Sequence, residues 1–233
     1  MLSILIPCFN ESEILQQTFN TINDYLIDRK LKFEIIFINN GSTDNSIDIL
    51  NNIEKENLNI VISNKEIQGK GLAIKEGLLL AKFNKIVILD ADLSVGIDHL
   101  TDEILETQEI LYIGSRSKGV EVGTPYMRRL AGKALNQILR RLFKISFKDT
   151  QCGFKFISSN NIKEIANNLS TEGFMYDLDL ILSSTKYNLK VKEIPIQYNH
   201  NYNSSVSLLK DPAKMVLDIF KIYKKFSYGY FFK

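Results

Sequence analysis

The chain has 233 residues, 45% of them hydrophobic and 24% charged, with a formal net charge of +2. That suits one domain with a full core and the ordinary composition of a soluble globular protein. Two cysteines, Cys8 and Cys152, lack metal-ligand spacing, which argues against a disulfide framework or a zinc site and fits a reducing, cytoplasmic setting. No basic segment precedes an apolar run at the N-terminus, and no apolar run approaches about 18 residues, so neither a signal peptide nor a membrane-spanning helix is expected.

Leu2–Pro7 is an apolar strand run. Glu11–Ile27 reads as a helix, with Ile14, Leu15, Phe19, Ile22 and Leu26 at helical spacing and Asn10 as its expected N-cap. Phe33–Ile38 is the next strand, and Gly41-Ser42 turns the chain into a helix from about Thr43 to Lys55, with Ser42 as the expected cap. Asn59–Ser63 gives a third strand, Gly69–Lys82 a helix and Lys85–Leu89 a fourth strand. Strands that are continuous apolar runs alternate with helices, the pattern of a parallel sheet covered on both faces. No internal repeat or long linker interrupts it.

Beyond this half, Leu111–Ser115 reads as a short strand and Tyr126–Phe143 as a helix with a stripe of Leu130, Ala134, Leu135, Ile138, Leu139 and Leu142. Asp149–Phe156 reads as a loop, Tyr176–Tyr187 as a helix, Val191–Tyr198 as a strand, and Pro212–Phe226 as an amphipathic helix followed by an aromatic tail. One continuous sheet is expected. Charge is uneven: Val122–Lys148 holds seven basic residues and no acidic one, and Lys210–Lys233 holds six lysines against two aspartates. Two basic segments on an acidic body point to an anionic partner on one side.

Three short segments carry chemistry. Asp90-Ala91-Asp92 follows a buried strand, where open α/β sheets bind ligands. A carboxylate pair there repels a diphosphate unless a divalent cation, Mg²⁺ or Mn²⁺, bridges them. The alternative is a solvated turn. Asn39-Asn40-Gly41-Ser42-Thr43-Asp44 follows another buried strand and reads equally as a capped turn. Gly69-Lys70-Gly71 opens a helix, where amides and a lysine favour phosphate, although the longer spacing of a P-loop is absent.

With Ile6-Pro7-Cys8-Phe9-Asn10-Glu11, these segments resemble the donor half of family 2 glycosyltransferases of the GT-A fold, a Rossmann-like, mostly parallel α/β sheet flanked by helices. Gly114-Ser115-Arg116, Asp149-Thr150-Gln151-Cys152-Gly153-Phe154-Lys155, Tyr176-Asp177-Leu178-Asp179-Leu180, Glu193-Ile194-Pro195-Ile196 and Ser204-Ser205-Val206 follow in order. That order is similar to the polyprenyl- and dolichyl-phosphate sugar transferases, above all the dolichyl-phosphate glucosyltransferase branch. The resemblance covers nearly the whole chain and implies a single domain over residues 1–233, with a donor half at 1–115 and an acceptor half at 116–233 bearing membrane-interfacial helices.

Residue by residue, the resemblance implies that Pro7, Asn10, Glu11, Asn40 and Asp44 line the donor pocket, that Lys70 lies near the donor phosphates, and that Asp90 and Asp92 hold ribose, metal and diphosphate. Arg116, Arg128 and Gln151 would hold the acceptor phosphate. Asp177 and Asp179 would stand near the transferred sugar, and Asp92, Arg116, Asp177 and Asp179 form the implied catalytic set. Two departures are visible: Asn39-Asn40 stands where the family commonly has Asp-Asp, and Ser204-Ser205-Val206 where many relatives have Ser-Lys-Val.

The expected reaction is an inverting displacement in which an acceptor oxygen attacks the anomeric carbon as a nucleotide diphosphate, expected to be UDP from UDP-glucose, departs. A polyprenyl phosphate, with a second pKa of about 6 by analogy with phosphoserine, needs cations rather than a general base. A glycan or glycolipid hydroxyl would need a base, for which Asp177 or Asp179 is the candidate. A catalytically silent nucleotide-sugar-binding subunit that serves a membrane-protein partner is the alternative from another class. The basic, apolar-striped helices fit peripheral attachment to an anionic membrane surface on the cytoplasmic side. No nucleic-acid partner is expected.

Overall fold

The computed structural model describes residues 1–65, 69–200 and 211–227. In chain order the elements are β1 (Leu2–Cys8), α1 (Leu15–Asp28), β2 (Phe33–Asn40), α2 (Ser46–Glu56), β3 (Ile60–Lys65), α3 (Lys70–Leu80) and β4 (Lys85–Ile88). A short 3-10 turn (Ile97–His99), α4 (Asp102–Glu106) and β5 (Ile110–Val122) follow. Then come α5 (Tyr126–Phe143), β6 (Lys155–Ser158), α6 (Ile162–Asn168), α7 (Tyr176–Lys186), β7 (Lys190–Asn199) and α8 (Asp211–Ser227).

All seven strands join one sheet in the order β3-β2-β1-β4-β6-β5-β7. β6 runs antiparallel to β4 and β5, and every other pair is parallel, so the sheet is mostly parallel, as expected. The chain leaves β1 toward β2 and β3 on one side and returns through β4 on the other. The crevice at the carboxyl ends of β1 and β4 is therefore the switch point at which such sheets bind ligands.

Both faces of the sheet are covered. Ile4, Ile6, Phe37, Val87, Phe154 and Phe156 pack against α1 and α2 on one face. Leu5, Ile36, Ile88, Leu111 and Ile157 pack against α3, α6 and α7 on the other. α3 lies so close to β1 that a Cβ at Gly77 would come within 1.8 Å of Leu5 Cδ1. A third cluster, Leu139, Phe143, Met175, Leu178, Leu182, Ile222 and Phe226, binds α5, α7 and α8 together.

Several expectations need correction. α1 starts at Leu15, and Asn10 does not cap it: Asn10 sits at φ 56° with its side-chain oxygen turned to another loop. α2 starts at Ser46, and its first amide is met by Asp44 rather than Ser42. β5 runs 13 residues, with a register shift between Ser115 and Val120 where it pairs with β7. The expected loop at 149–156 ends in a buried antiparallel strand, β6. α5 spans the expected residues. The aromatic tail and Ser204-Ser205-Val206 lie outside the described residues. Among the described residues no helix is long and apolar enough to cross a membrane.

Candidate active site

The ends of β1 and β2 are stitched together by their own polar side chains. Asn10 N–H donates to Ser42 Oγ at 2.9 Å, and Thr43 N–H donates back to Asn10 Oδ1 at 2.7 Å. Ser12 N–H donates to Asp44 Oδ2 and Ser46 N–H to Asp44 Oδ1, at 3.1 and 3.0 Å, and Glu11 N–H donates to Ser46 Oγ. Burial raises the Asp44 carboxyl, but these amides and hydroxyls outweigh it and hold it at about 2. Asn10 and Asp44 thus join the two loops that follow β1 and β2.

Asn39 is buried and donates from Nδ2 to Asn64 Oδ1 at 2.5 Å across the β2–β3 register. Asn40 Oδ1 accepts from Gly69 N–H at 3.1 Å, which ties the end of β2 to the start of α3. Asn39 therefore has structural work that an aspartate could not do, since its Nδ2 is a donor that a carboxylate lacks, whereas the acceptor role of Asn40 is one an aspartate oxygen shares. Pro7 is partly exposed near the end of β1, past the Ser3–Leu5 stretch that pairs with β4.

Asp90-Ala91-Asp92 turns rather than continuing as strand. Leu93 N–H donates to Asp90 O, and Ser94 gives its N–H and hydroxyl to the two oxygens of Asp92 at 2.9 and 2.7 Å. Leu93 takes φ 46°, a left-handed conformation uncommon for a branched apolar residue and typical of residues held at functional turns. Thr18 Oγ1 donates to Ala91 O at 2.6 Å and Asn199 N–H to Ser94 O, so α1 and the end of β7 pin the turn from both sides.

Lys70, the first residue of α3, places Nζ 2.5 Å from Asp90 Oδ1. Burial raises the Asp90 carboxyl, and Lys70, Lys155 and Arg116 outweigh it to give a net lowering. Glu11 shows the opposite balance: burial first, then Asp92, Asp90 and Asp44, push it to about 7 against the pull of Lys70. Four carboxyl groups, Glu11, Asp44, Asp90 and Asp92, thus share one electrostatic neighbourhood. Among the described residues no group of three His, Cys, Asp or Glu closes a metal cage. A pair of carboxylates completed by substrate phosphates is the usual way Mg²⁺ is held, and Asp90 and Asp92 fit it. The α3 amides do not fit the expected phosphate cradle, because Gly71 and Leu72 N–H both donate to Glu172 O.

Across the crevice, Arg116 on β5 is clamped by Asp149. Nε and Nη2 donate to the two carboxylate oxygens at 2.7 and 2.9 Å, and Arg116 N–H adds a bond at 3.0 Å. The guanidinium lies 5.4 Å from the Tyr198 ring centre. Asp149 is itself fixed by Glu193, whose Oε1 accepts the amides of Lys148 and Asp149. Arg128 lies in the first turn of α5, and its charge is felt at Tyr198 and His200. Gln151 departs from expectation: its side-chain amide is 3.3 Å from both Phe174 O and Met175 Sδ, committed to the chain before α7.

Asp177 and Asp179 separate. Asp177 is buried against Lys155, itself fully buried, and the Tyr176 ring centre lies 5.3 Å from Lys155 Nζ and 5.7 Å from Lys70 Nζ. Burial raises Asp177, against the lowering by Lys155 and Lys70. Asp179 is fully buried and spends its oxygens on Ser170, Thr171, Ser183 and Lys225, so it holds structure and does not face a sugar. Sequence reasoning missed Lys155, Asp149, Glu193, Tyr198 and Lys225 as parts of this assembly. Asp149 and Lys155 stood inside the most distinctive motif; Lys225 carried no signal beyond its place on a basic helix.

The family described as Glycosyl transferase family 2 matches residues 3–166. The dolichyl-phosphate beta-glucosyltransferase ALG5A of Trichomonas vaginalis is 28% identical over 236 residues, covering 95% of this chain and 72% of that protein. The dolichyl-phosphate beta-glucosyltransferase of Saccharomyces cerevisiae is 28% identical over 242 residues, covering 94% and 72%. Among solved structures, glucosyl-3-phosphoglycerate synthase from Mycobacterium tuberculosis in complex with Mn²⁺, UDP and glucosyl-3-phosphoglycerate superposes with a TM-score of 0.68. It is 17% identical, and the match covers 97% of this chain and 79% of that one, a likeness of fold.

Proposed function

The chain belongs to glycosyl transferase family 2 and is a nucleotide-sugar-dependent glycosyltransferase, and from that premise we propose that it moves glucose from UDP-glucose to a polyprenyl phosphate in a single inverting displacement. The observation that carries the acceptor is the Arg116–Asp149 clamp. A bidentate carboxylate orients a partly exposed guanidinium whose charge reaches Asp90 on the donor side. A cation fixed in advance against Tyr198, where the charge of Arg128 is also felt, suits an anionic nucleophile that must be positioned rather than deprotonated.

In this reading residues 1–115 bind the donor and 116–233 the acceptor. Pro7, Glu11 and Asn40 border the nucleoside, and Asn10 and Asp44 hold that border in shape. Lys70 and Asp90 meet the diphosphate. A Mg²⁺ or Mn²⁺ ion at Asp90 and Asp92 would supply charge neutralisation for the leaving diphosphate. Neighbours of the same fold solved with Mn²⁺ and UDP or with Mn²⁺ and GDP-Man support that part. Burial of Asp177 against Lys155 supports a base-free attack, since a carboxylate shut in with a lysine is poorly placed to take a proton from a hydroxyl acceptor.

Attachment to the cytoplasmic face of a membrane completes the proposal. α5 exposes Tyr126, Met127, Leu130 and Ile138, and α8 exposes Val216, Leu217, Phe220 and Tyr223, all among lysines and arginines. The test is a panel of nucleotide sugars with Mg²⁺ or Mn²⁺ and a short polyprenyl phosphate. Glycolipid and UDP should form together from UDP-glucose. Release of nucleotide only when a glycan hydroxyl acceptor is supplied would overturn the lipid-phosphate acceptor.

A further inference from the structure

The N-terminus of α3, which delivers Lys70 to Asp90, rests on a piece of backbone at residues 170–173 that α8 holds in place. Glu172 O accepts from Gly71 N–H at 2.9 Å and from Leu72 N–H at 3.4 Å. The approach is so close that a Cβ at Gly69 would come within 2.5 Å of Glu172 O, and one at Gly71 within 2.3 Å of Thr171 O. Neither glycine can become alanine without moving that backbone.

The 170–173 segment is in turn fixed by one fully buried carboxylate. Asp179 Oδ2 accepts the N–H groups of Ser170 and Thr171 at 2.6 and 3.1 Å and their hydroxyls at 2.9 and 3.3 Å. Its other oxygen, Oδ1, is 2.7 Å from Lys225 Nζ, and Lys225 also donates to Asn168 O. Seven residues earlier on the same face of α8, buried Asp218 lies against Gly173. Ile222, between them, and Phe226, just past Lys225, join the Leu139, Phe143 and Leu178 cluster. Two polar contacts and an apolar anchor therefore seat α8 on the segment that supports α3.

We propose that Lys225 is a positioning residue for the donor site: through Asp179 and residues 170–173 it sets the N-terminus of α3, and so the distance between Lys70 and Asp90. A buried carboxylate deprived of its lysine is left with an unpaired charge, which disturbs the contacts it makes with residues 170 and 171. The segment that carries Glu172 O would then loosen, and Lys70 with it. The proposal rests on the reading of Lys70 and Asp90 as a nucleotide-sugar site. It adds a route by which a helix with an exposed apolar face, remote in sequence from that site, tunes donor affinity.

The test uses the full chain with Lys225→Met, with Lys225→Arg as the conservative variant and exposed Lys224→Met as a control of equal charge change. Binding of UDP and UDP-glucose is measured by titration calorimetry with Mg²⁺, alongside KM for each substrate and the melting temperature. Lys225→Met should weaken nucleotide binding about tenfold and raise the donor KM while leaving the acceptor KM unchanged. Lys225→Arg should restore both, and Lys224→Met should change neither. If Lys225→Met melts too low to assay, Lys225→Gln, which keeps a donor, carries the same readout. A folded Lys225→Met or Lys225→Gln variant with wild-type UDP affinity, or an equal loss in Lys224→Met, would overturn the proposal while leaving the activity reading intact. A wild-type chain that binds neither UDP nor UDP-glucose would overturn the activity reading and this proposal with it.

Discussion

Lys70 Nζ stands 2.5 Å from Asp90 Oδ1, with the lysine about a quarter and the aspartate about a third exposed, so at the proposed diphosphate end of the donor site the Asp90 charge is already paired. The lysine and a divalent cation compete for the same carboxylate, yet both favour a diphosphate. Lys70→Met should therefore have effects of opposite sign. Binding of Mn²⁺ alone should tighten, because Asp90 loses its competitor, while UDP binding in the presence of Mn²⁺ should weaken by about one order of magnitude. Asp90→Asn should abolish both and cost activity by several orders. Calorimetric titrations of Mn²⁺ with and without UDP check the signs. Parallel weakening of both in Lys70→Met would show that the lysine serves only the fold.

The clamp on Arg116 yields a second expectation. Asp149 is nearly fully buried and joined to Arg116 by three hydrogen bonds, and burial, which would raise its carboxyl, is outweighed by Arg116. Asp149→Asn leaves the guanidinium in place but removes its orienting charge. The KM for polyprenyl phosphate should rise about tenfold to a hundredfold while that for the nucleotide sugar stays near wild type. Stability should fall by about 3 kcal/mol, as expected for breaking a largely buried pair. Steady-state kinetics at fixed donor and urea unfolding separate the two effects.

The parts of this architecture that depend on local pattern were legible in the sequence, and those that depend on distant partners were not. α5 was readable at both ends because its stripe repeats at helical spacing over 18 residues. β5 was cut short because, past Ser115, its residues are mostly exposed and carry no apolar run, and the strand there is extended by pairing of Val120–Val122 with β7. β6 was hidden because Lys155 breaks the apolar run, and only the fold shows that lysine buried beside Asp177. Asn10 looked like a helix cap until a loop more than thirty residues away claimed its oxygen.

The candidate site residues came from the resemblance, and the structure sets two of them, Asp177 and Asp179, in different surroundings. Asp177 and Asp179 could have been separated beforehand. Two positions on a helix lie about 200° apart around its axis, so the pair cannot share one face. One meets Lys155 next to the site, and the other meets Lys225 behind it.

Two carboxyl groups on the donor side move in opposite directions, and the pH dependence of stability follows from them. Asp44 is held at about 2, below its ordinary 3.8, so its hydrogen bonds contribute stability above pH 4 that is lost as pH falls toward 2. Glu11 is raised from 4.5 to about 7, so between those values the folded chain holds more protons than the unfolded one. Stability must then fall as pH rises through that window. Glu11→Gln should flatten the slope of unfolding free energy between pH 4.5 and 7, and Asp44→Asn should flatten the acid limb below pH 4. Urea titrations across pH 2.5–8 read both slopes. An unchanged slope above pH 4.5 in Glu11→Gln would remove Glu11 from the carboxyl cluster.

The exposed faces of α5 and α8 lead to the last expectation. Met127 and Phe220 are 72% and 67% exposed, on helices whose inner faces hold the Leu139–Ile222 cluster. Replacing either by glutamate removes apolar area from the outer face and adds a charge that anionic lipid repels, without touching the buried seat of the helix. Met127→Glu and Phe220→Glu should each reduce flotation with anionic liposomes severalfold and together abolish it, with binding to UDP unchanged. The wild-type chain should detach as salt is raised, since part of the attraction comes from Arg140, Arg141 and Lys221 acting over a Debye length of about 8 Å at physiological ionic strength. Activity should then divide by acceptor. A short, water-soluble polyprenyl phosphate analogue should be glycosylated as fast by the double variant as by the wild type, while a long-chain acceptor in liposomes should be glycosylated slowly. Equal rates on the liposomal acceptor would mean that these faces do not bring the site to its lipid.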